Sequence, residues 1–316
     1  MNNSELLFLY DAKMCNPNGD PDDENRPRMD YERQRNLVSD VRLKRYIRDY
    51  LKDKGYDIFV SKQDDKVKDA DARQDDKVVD ANARLKSVVG KNKVTREDLP
   101  IILDKLIDVR MFGATMPIKA EEGGRGGSSI ALTGPVQFTW GYSLNKVNLV
   151  DSNGITSHFS SRTENQQGAM GKDYRVYYSL LAFQGIISAK RAVRTGLKDE
   201  DIALLDEAML RAIPLQATRS KIGQYPRLYL RVEYTDGQTF LGDFRDMVSL
   251  ETLDGLRDTT EARLKASALA RKLSANASRV ARIYWWQDEE LTISDSPDGT
   301  ISGLFGEGIK DKLVKL

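Results

Sequence analysis

The sequence predicts an α+β fold of the ferredoxin-like plan, in which two β–α–β halves form one sheet. Residues 5–10 are an apolar run typical of a buried strand, and residues 39–51 carry apolar side chains at the three- and four-residue spacing of a helix. Three strand patterns and a second helix pattern follow. They occupy residues 136–142, 174–187 and 227–234 for the strands and 199–213 for the helix. The order β–α–insertion–β–excursion–β–α–β therefore predicts that plan with long insertions.

Composition sets the limits for function. The chain has 316 residues, 31% of them charged, and a formal net charge of +1, so any affinity for polyanions must come from a local basic surface. Cys15 is the only cysteine and His158 the only histidine, which excludes an internal disulfide and a cysteine zinc site and points to the cytoplasm. We expect no metal, no cofactor and no membrane segment.

The first predicted helix combines an apolar stripe with a cationic face. Ser39 is a good N-cap, and Val38 and Leu43 are spaced for a hydrophobic staple. The stripe and the cations are then expected on opposite sides of the helix. The stripe comprises Leu43, Tyr46, Ile47, Tyr50 and Leu51; the cations are Arg42, Lys44, Arg45 and Arg48. Because only Asp40 and Asp49 lie near these cations, we expect them to lack acidic partners and to bind an anion.

Just before this helix stands the turn Asn16-Pro-Asn-Gly-Asp-Pro21, followed by an acidic loop. A turn rich in backbone amides beside a helix N-terminus suits a phosphate backbone. Asp20, Asp22, Asp23 and Glu24 either balance the basic charge or hold Mg²⁺, and the sequence leaves both readings open.

Two further segments have simpler explanations than a binding site. Residues 63–84 are an 11-residue tandem repeat that predicts a marginal helix or a recent insertion without a function. The loop from Gly123 to Gly127 resembles an anion-binding loop but lacks the lysine of a phosphate-binding loop, so we interpret it as a connector.

Several motifs, in their order along residues 5–235, resemble the repeated backbone subunit of type I CRISPR Cascade complexes, in the RAMP superfamily. The resemblance is strongest to subtype I-B, with I-C close to it. The motifs are Asn16-Pro-Asn-Gly-Asp-Pro21, Val38-Ser-Asp-Val-Arg-Leu-Lys-Arg45, Asp108-Val-Arg-Met-Phe-Gly113, Leu132-Thr-Gly-Pro-Val-Gln-Phe138 and Gly185-Ile-Ile-Ser188.

The resemblance implies a modified RNA-recognition palm with finger and thumb insertions. In such a family many copies polymerise along the crRNA, the thumb of one copy kinks the guide, and the guide pairs with target DNA beside other Cascade subunits. The implied role is antiviral surveillance without catalysis. The implied segments are the first half of the palm at 1–52, a finger at 53–107, palm strands and loop at 108–147, a thumb at 148–173, the second half of the palm at 174–235 and a C-terminal extension at 236–316.

Residue by residue, the resemblance assigns Ser39, Lys44 and Arg48 to a helix that holds the guide backbone. It assigns Arg219 and Lys221 to a second basic loop. Arg42, Arg45 and Ser220 complete the expected RNA-binding residues. Bases splayed at a kink need apolar or stacking contacts, for which Met116 and Phe159 are candidates, although an aromatic residue is as well explained by a core position.

Two alternatives remain. One is a relative of the type III backbone subunits, in which a loop aspartate and a metal promote cleavage of target RNA. The other is a stand-alone RNA-binding protein that works as a monomer.

Overall fold

A computed structural model describes residues 1–61, 80–118, 129–151, 154–156 and 170–316. Most of the 11-residue repeat, the loop from Gly123 to Gly127, Phe159, His158 and much of the expected thumb lie outside the described residues. What the sequence predicts for these segments stays a prediction.

The described part of the chain contains groups of strands separated by groups of helices. The strands are β1 (Ser4–Cys15), β2 (Gly19–Asp20), β3 (Arg26–Pro27), β4 (Met29–Asp30), β5 (Arg35–Val38), β6 (Gly113–Met116), β7 (Ile130–Thr133), β8 (Val136–Phe138), β9 (Gly141–Ser143), β10 (Gly154–Thr156), β11 (Met170–Lys172), β12 (Val176–Ile187), β13 (Gln224–Tyr234), β14 (Ser249–Leu250), β15 (Arg263–Lys265), β16 (Val280–Gln287), β17 (Thr292–Ile293) and β18 (Leu313–Lys315). The helices are α1 (Asp40–Asp53), α2 (Ala81–Val89), α3 (Leu99–Lys105), α4 (Ile107–Phe112), α5 (Ala189–Thr195), α6 (Asp199–Leu215) and α7 (Ser267–Ala275).

The chain divides into two compact units. Residues 2–43, 138–186 and 209–316 form the sheet unit; residues 44–137 and 187–208, with Met1, form the helical unit. The segments of each unit are separated in sequence, so neither unit corresponds to a simple half of the chain. The palm, finger and thumb boundaries remain predictions.

The main sheet has the strand order β18-β16-β13-β1-β12-β9-β5-β4. Its strand β1 is antiparallel to β13, with Leu7 opposite Leu230, and β1 is buried along most of its length, as its apolar sequence predicts. The α+β class is confirmed. The central order β13-β1-β12-β9 is compatible with the ferredoxin-like plan.

Residues 236–316 are more than an appendage to the sheet. Strands β16 and β18 extend it beyond β13, and apolar side chains from residues 244–309 cover the sheet face that carries Leu7 and Leu230. The arginine- and alanine-rich sequence of residues 259–277 predicts a single helix, and the first half of that prediction is wrong. Strand β15 occupies 263–265, and α7 begins only at Ser267, where the Asp295 carboxylate accepts hydrogen bonds from the backbone N–H groups of Ala266 and Ser267.

The single strand predicted over residues 136–142 is two strands, β8 and β9. The strand is interrupted between them, where the Thr139 N–H and hydroxyl both donate to the Gln184 carbonyl. Gly141 then crosses the Phe183 ring so closely that a Cβ atom would stand 2.3 Å from it. This break leaves Trp140 between two anchored residues.

The helical unit has its own small core. Leu85, Ile102, Val109 and Met116 are among its buried members, and the Arg110–Asp201 ion pair is buried nearby in the same unit. No helix among the described residues is long and apolar enough to cross a membrane.

Candidate nucleic-acid interface

The turn that precedes α1 is tied to the helix by one side chain. The Asn18 carboxamide oxygen accepts hydrogen bonds from the Ser39 N–H at 2.9 Å and from the Ser39 hydroxyl at 3.0 Å. The Ser39 Oγ in turn accepts from the Arg42 N–H at 3.3 Å, which confirms Ser39 as the cap of α1. The turn and the positive end of the helix are thus held in one arrangement.

Lys221 contacts the same turn although it lies far from it in sequence. Its Nζ donates to the Asn16 carbonyl at 2.5 Å, while the Asn16 N–H donates to the Ser220 carbonyl at 2.9 Å. Gly223, with φ +98°, lets this loop lie against the end of β1, where a Cβ would meet the Lys13 carbonyl at 2.5 Å. We call Asn16, Asn18, Ser39, Arg42 and Lys221 the turn site; all five belong to the sheet unit.

The turn site is electropositive. The pKa of Lys221 is lowered from its ordinary value to about 8, first by burial and then by the charge of Arg42, while Cys15 acts in the opposite direction. Since like charges disfavour protonation, a bound anion would reverse this effect and restore the charge of Lys221. The arrangement is therefore suited to a phosphate.

Arg219 lies in the same loop but is engaged. Its guanidinium contacts the Asp173 carboxylate at 2.8 Å, and Arg175 makes two hydrogen bonds to the same carboxylate and one to the Arg219 carbonyl. Most of the Arg219 side chain is still exposed. It can therefore reach a second phosphate if it leaves a carboxylate that Arg175 continues to neutralise.

The remaining cations of α1 are not the exposed, acid-free row that the sequence suggested. Arg45 pairs with Asp49 at 2.7 Å, and Arg48 pairs with the buried Asp108 at 3.0 Å. Lys44 donates to the Gln137 side chain at 2.9 Å. The expectation that these cations lack acidic partners is wrong for Arg45 and Arg48. Asp49 lies one helical turn from Arg45, and the fold brings Asp108 to Arg48 from a distant part of the sequence.

The cations of α1 also differ from the sequence expectation in their exposure to solvent. Lys44 and Arg48 are each only 9% exposed, so α1 has no open cationic face opposite its apolar stripe. The five stripe residues are buried, as predicted. In the helical unit Lys44 and Arg48 lie beside the Phe112 ring, where they help to fix packing.

Neither expected stacking residue lies on the described surface. Met116 is fully buried in the core of the helical unit, where its apolar side chain packs among aliphatic neighbours. It presents no face to a base. Phe159 lies outside the described residues.

The acidic loop after the turn is neutralised by neighbouring cations. Asp20 pairs with Arg28 at 3.0 Å and Asp23 with Arg26 at 3.8 Å, while Glu24 accepts from Lys172 and from the Tyr174 hydroxyl. The hydrogen bond from Lys172 is the main reason that the pKa of Glu24 is lowered. Within the described residues, no three His, Cys, Asp or Glu side chains converge as metal ligands do.

Two solved structures share this fold along nearly the whole chain. A chain titled "CRISPR RNA-guided surveillance complex, pre-nicking" matches with a TM-score of 0.53 and 12% identity, covering 100% of this chain and 96% of that one. A chain titled "CRISPR RNA-guided surveillance complex" matches with a TM-score of 0.50 and 15% identity, over 93% and 92% of the two chains. At such identities the likeness concerns the fold.

Sequence comparison gives the family. The family model described as "CRISPR-associated protein Cas7" matches residues 2–267. A curated CRISPR-associated protein Cas7 from Haloferax volcanii is 35% identical over 321 residues, covering 95% of this chain and 91% of the relative. The chain belongs to the Cas7 family, in agreement with the resemblance seen in its motifs.

Proposed function

We propose that this protein is a non-catalytic backbone subunit of a CRISPR surveillance complex, which binds a guide RNA through its phosphates and presents the guide for pairing with target DNA. Membership of the Cas7 family supports the role, and the turn site supports the mode of binding. Contacts to phosphates carry no base information, which suits a protein that must accept any guide. Further copies of the same chain and other subunits would share the RNA.

One observation carries the binding mode: Lys221 donates to the Asn16 carbonyl in the turn before the capped N-terminus of α1, and burial and the charge of Arg42 there lower its pKa. Two cations held close together in a half-buried site repel each other, and a phosphate would relieve this repulsion. Arg219 is the nearest further cation of the same loop.

The test is the salt dependence of RNA binding. The double variant Arg42→Ala/Lys221→Ala should bind single-stranded RNA of every sequence more weakly, and its slope of log K against log salt should be shallower by about two. Arg271→Ala/Lys272→Ala, on the exposed surface of α7, removes the same charge and should leave the slope unchanged. Equal slopes for the two double variants would contradict the proposal.

The absence of catalysis belongs to the proposal as well. Asp20 and Asp23 each have a cationic partner, and such pairing supports a charge-balancing role for the loop rather than the type III-like alternative. Guide-loaded protein incubated with complementary RNA and Mg²⁺ or Mn²⁺ should leave the target intact. Regularly spaced cuts that vanish in Asp20→Ala, Asp22→Ala or Asp23→Ala would instead make this chain an enzyme.

We also infer action in the cytoplasm. Cys15 is buried and its pKa is raised to about 12, chiefly by burial, so it is poorly suited to disulfide chemistry. Fractionation of cells that express the tagged protein tests this, and recovery with the membrane fraction would contradict it.

A further inference from the structure

Trp140 is a large aromatic residue of the sheet unit that remains half exposed. Its side chain is 48% exposed although both of its chain neighbours are anchored: Thr139 by Gln184, and Gly141 by its close passage over Phe183. The Trp140 carbonyl also accepts a hydrogen bond from Arg245 at 2.7 Å. The backbone thus fixes the position of a half-exposed indole, whose apolar faces and polar N–H suit contact with a ligand.

The groups around Trp140 are arginines and aromatic rings. The Arg28 guanidinium lies 5.8 Å from the centre of the indole ring, and Arg35 and Arg245 lie 4.9 Å and 4.5 Å from the centre of the Tyr142 ring. Planar cations and aromatic faces are the surfaces on which unstacked bases pack. The surface formed by Trp140, Arg28, Tyr142 and Arg35 is here called the arginine–aromatic surface. The Arg245 side chain is only 9% exposed and pairs with Asp243, so it supports the Tyr142 ring and is not itself part of the surface.

Arg28 connects this surface to the turn site. Its N–H donates to the Asn18 carbonyl at 3.1 Å, and its side chain pairs with Asp20 at 3.0 Å. Asn18 is the residue that holds Ser39 and the start of α1. Arg28 thus lies between the indole and the turn and contacts both, and all of these residues belong to the sheet unit.

We propose that Trp140 is the stacking platform for an unpaired base of the nucleic acid whose backbone the turn site holds. The inference rests on the proposed function. It favours a nucleic acid over a protein partner because the platform is continuous with a cationic site. Stacking ignores base identity, so the surface keeps the tolerance for sequence that the turn site requires.

The experiment compares two probes on three full-length proteins. The probes are a fluorescein-labelled single-stranded RNA of mixed sequence and the same strand with abasic sugars; the proteins are wild type, Trp140→Ala and Trp140→Phe. Trp140→Ala should weaken binding of the normal RNA by about tenfold, whereas Trp140→Phe, which keeps an aromatic face, should stay within about twofold. Binding of the abasic strand should be the same for all three, because its backbone is intact.

A spectroscopic measurement checks the contact directly. Base stacking quenches indole fluorescence, so the difference in quenching between wild type and Trp140→Phe isolates Trp140 from Trp285 and Trp286. Binding of the normal RNA by Trp140→Ala as tight as by wild type, or no difference in quenching, would overturn the platform while leaving the proposed function intact. Loss of a co-purifying subunit at unchanged RNA affinity would identify a protein contact instead, and insensitivity of the Arg42→Ala/Lys221→Ala variant would refute the proposed function itself.

Discussion

At the scale of single residues, the turn site contains a lysine that loses its proton more readily than an ordinary lysine, because its pKa is lowered to about 8. Lys221 donates to the Asn16 carbonyl in the neighbourhood of the Arg42 charge. Its pKa of about 8 reflects burial first and the repulsion by Arg42 second. In the unfolded chain the same lysine has its ordinary, higher pKa. Between about pH 8 and the ordinary value, therefore, the unfolded state binds more protons, and the RNA-free protein becomes more stable as the pH rises.

The same shift predicts a pH dependence of binding with the opposite sign. A bound phosphate favours protonated Lys221, so RNA affinity should be constant below about pH 7 and fall by up to tenfold per pH unit above pH 8. Titrations by fluorescence anisotropy between pH 6.5 and 9.5, as round limits, measure this. Lys221→Arg stays charged throughout and should flatten the curve; a wild-type curve that matches this variant would exclude Lys221 from the contact.

At the scale of elements, α1 combines two different uses of positive charge. Its first turn carries Arg42 at the turn site, and its later turns carry Lys44 and Arg48, which are nearly buried and engaged with Gln137 and Asp108. Asp108 also accepts the backbone N–H groups of Phe59 and Val60, so it organises the chain that follows the helix. Arg48 acts within the helical unit as a structural ion-pair partner.

Removal of Arg48 should therefore lower the free energy of unfolding, with RNA affinity affected less. Arg48→Ala leaves the Asp108 carboxylate buried without its cation, and breaking a buried pair of this kind costs about 3 kcal/mol or more. Arg45→Ala, in which only the partly exposed pair with Asp49 is lost, should cost less than about 1 kcal/mol. Urea denaturation measures both, and equal effects of the two variants would show that Arg48 is not a structural residue.

At the scale of the whole molecule, self-assembly along RNA is the property that the expected thumb at 148–173 would provide. Strands β10 and β11 pair antiparallel, with Thr156 opposite Met170, so they form the described base of this segment. A short Gly-Ser turn can join these two residues without altering the pairing. The helical filament expected of a head-to-tail contact would then lose its connecting element.

Replacing residues 157–169 with such a turn should leave RNA binding by single copies intact and abolish regular arrays on long RNA. Light scattering and negative-stain electron microscopy of RNA-bound protein measure the difference. A second variant, in which a Gly-Ser segment of the same length replaces residues 157–169, serves as the control for loop length. Wild-type protein that stays monomeric on RNA would favour the stand-alone alternative.

The amino-acid sequence alone determined the local features of this protein. The apolar run of β1, the Ser39 cap, the buried stripe of α1, the helix α6 and the strands β12 and β13 follow from periodicity and capping, which act over a few residues. The family follows from motifs that are likewise short. The start of α7 and the break at Thr139 were missed because each depends on a distant partner, Asp295 or Gln184.

Only the tertiary structure decided which of the predicted cations lie at the turn site and which are engaged elsewhere. Spacing along α1 puts Arg42, Lys44, Arg45 and Arg48 on the side of the helix opposite its apolar stripe. In the fold, however, Asp108 and Gln137 engage two of them, and Lys221, which is far from Arg42 in sequence, lies close enough to feel its charge. The same is true of Trp140, whose exposure depends on anchors at Gln184 and Arg245. Charge and burial at a site are sums over neighbours in space, and a helical period carries no information about neighbours that the fold brings from elsewhere.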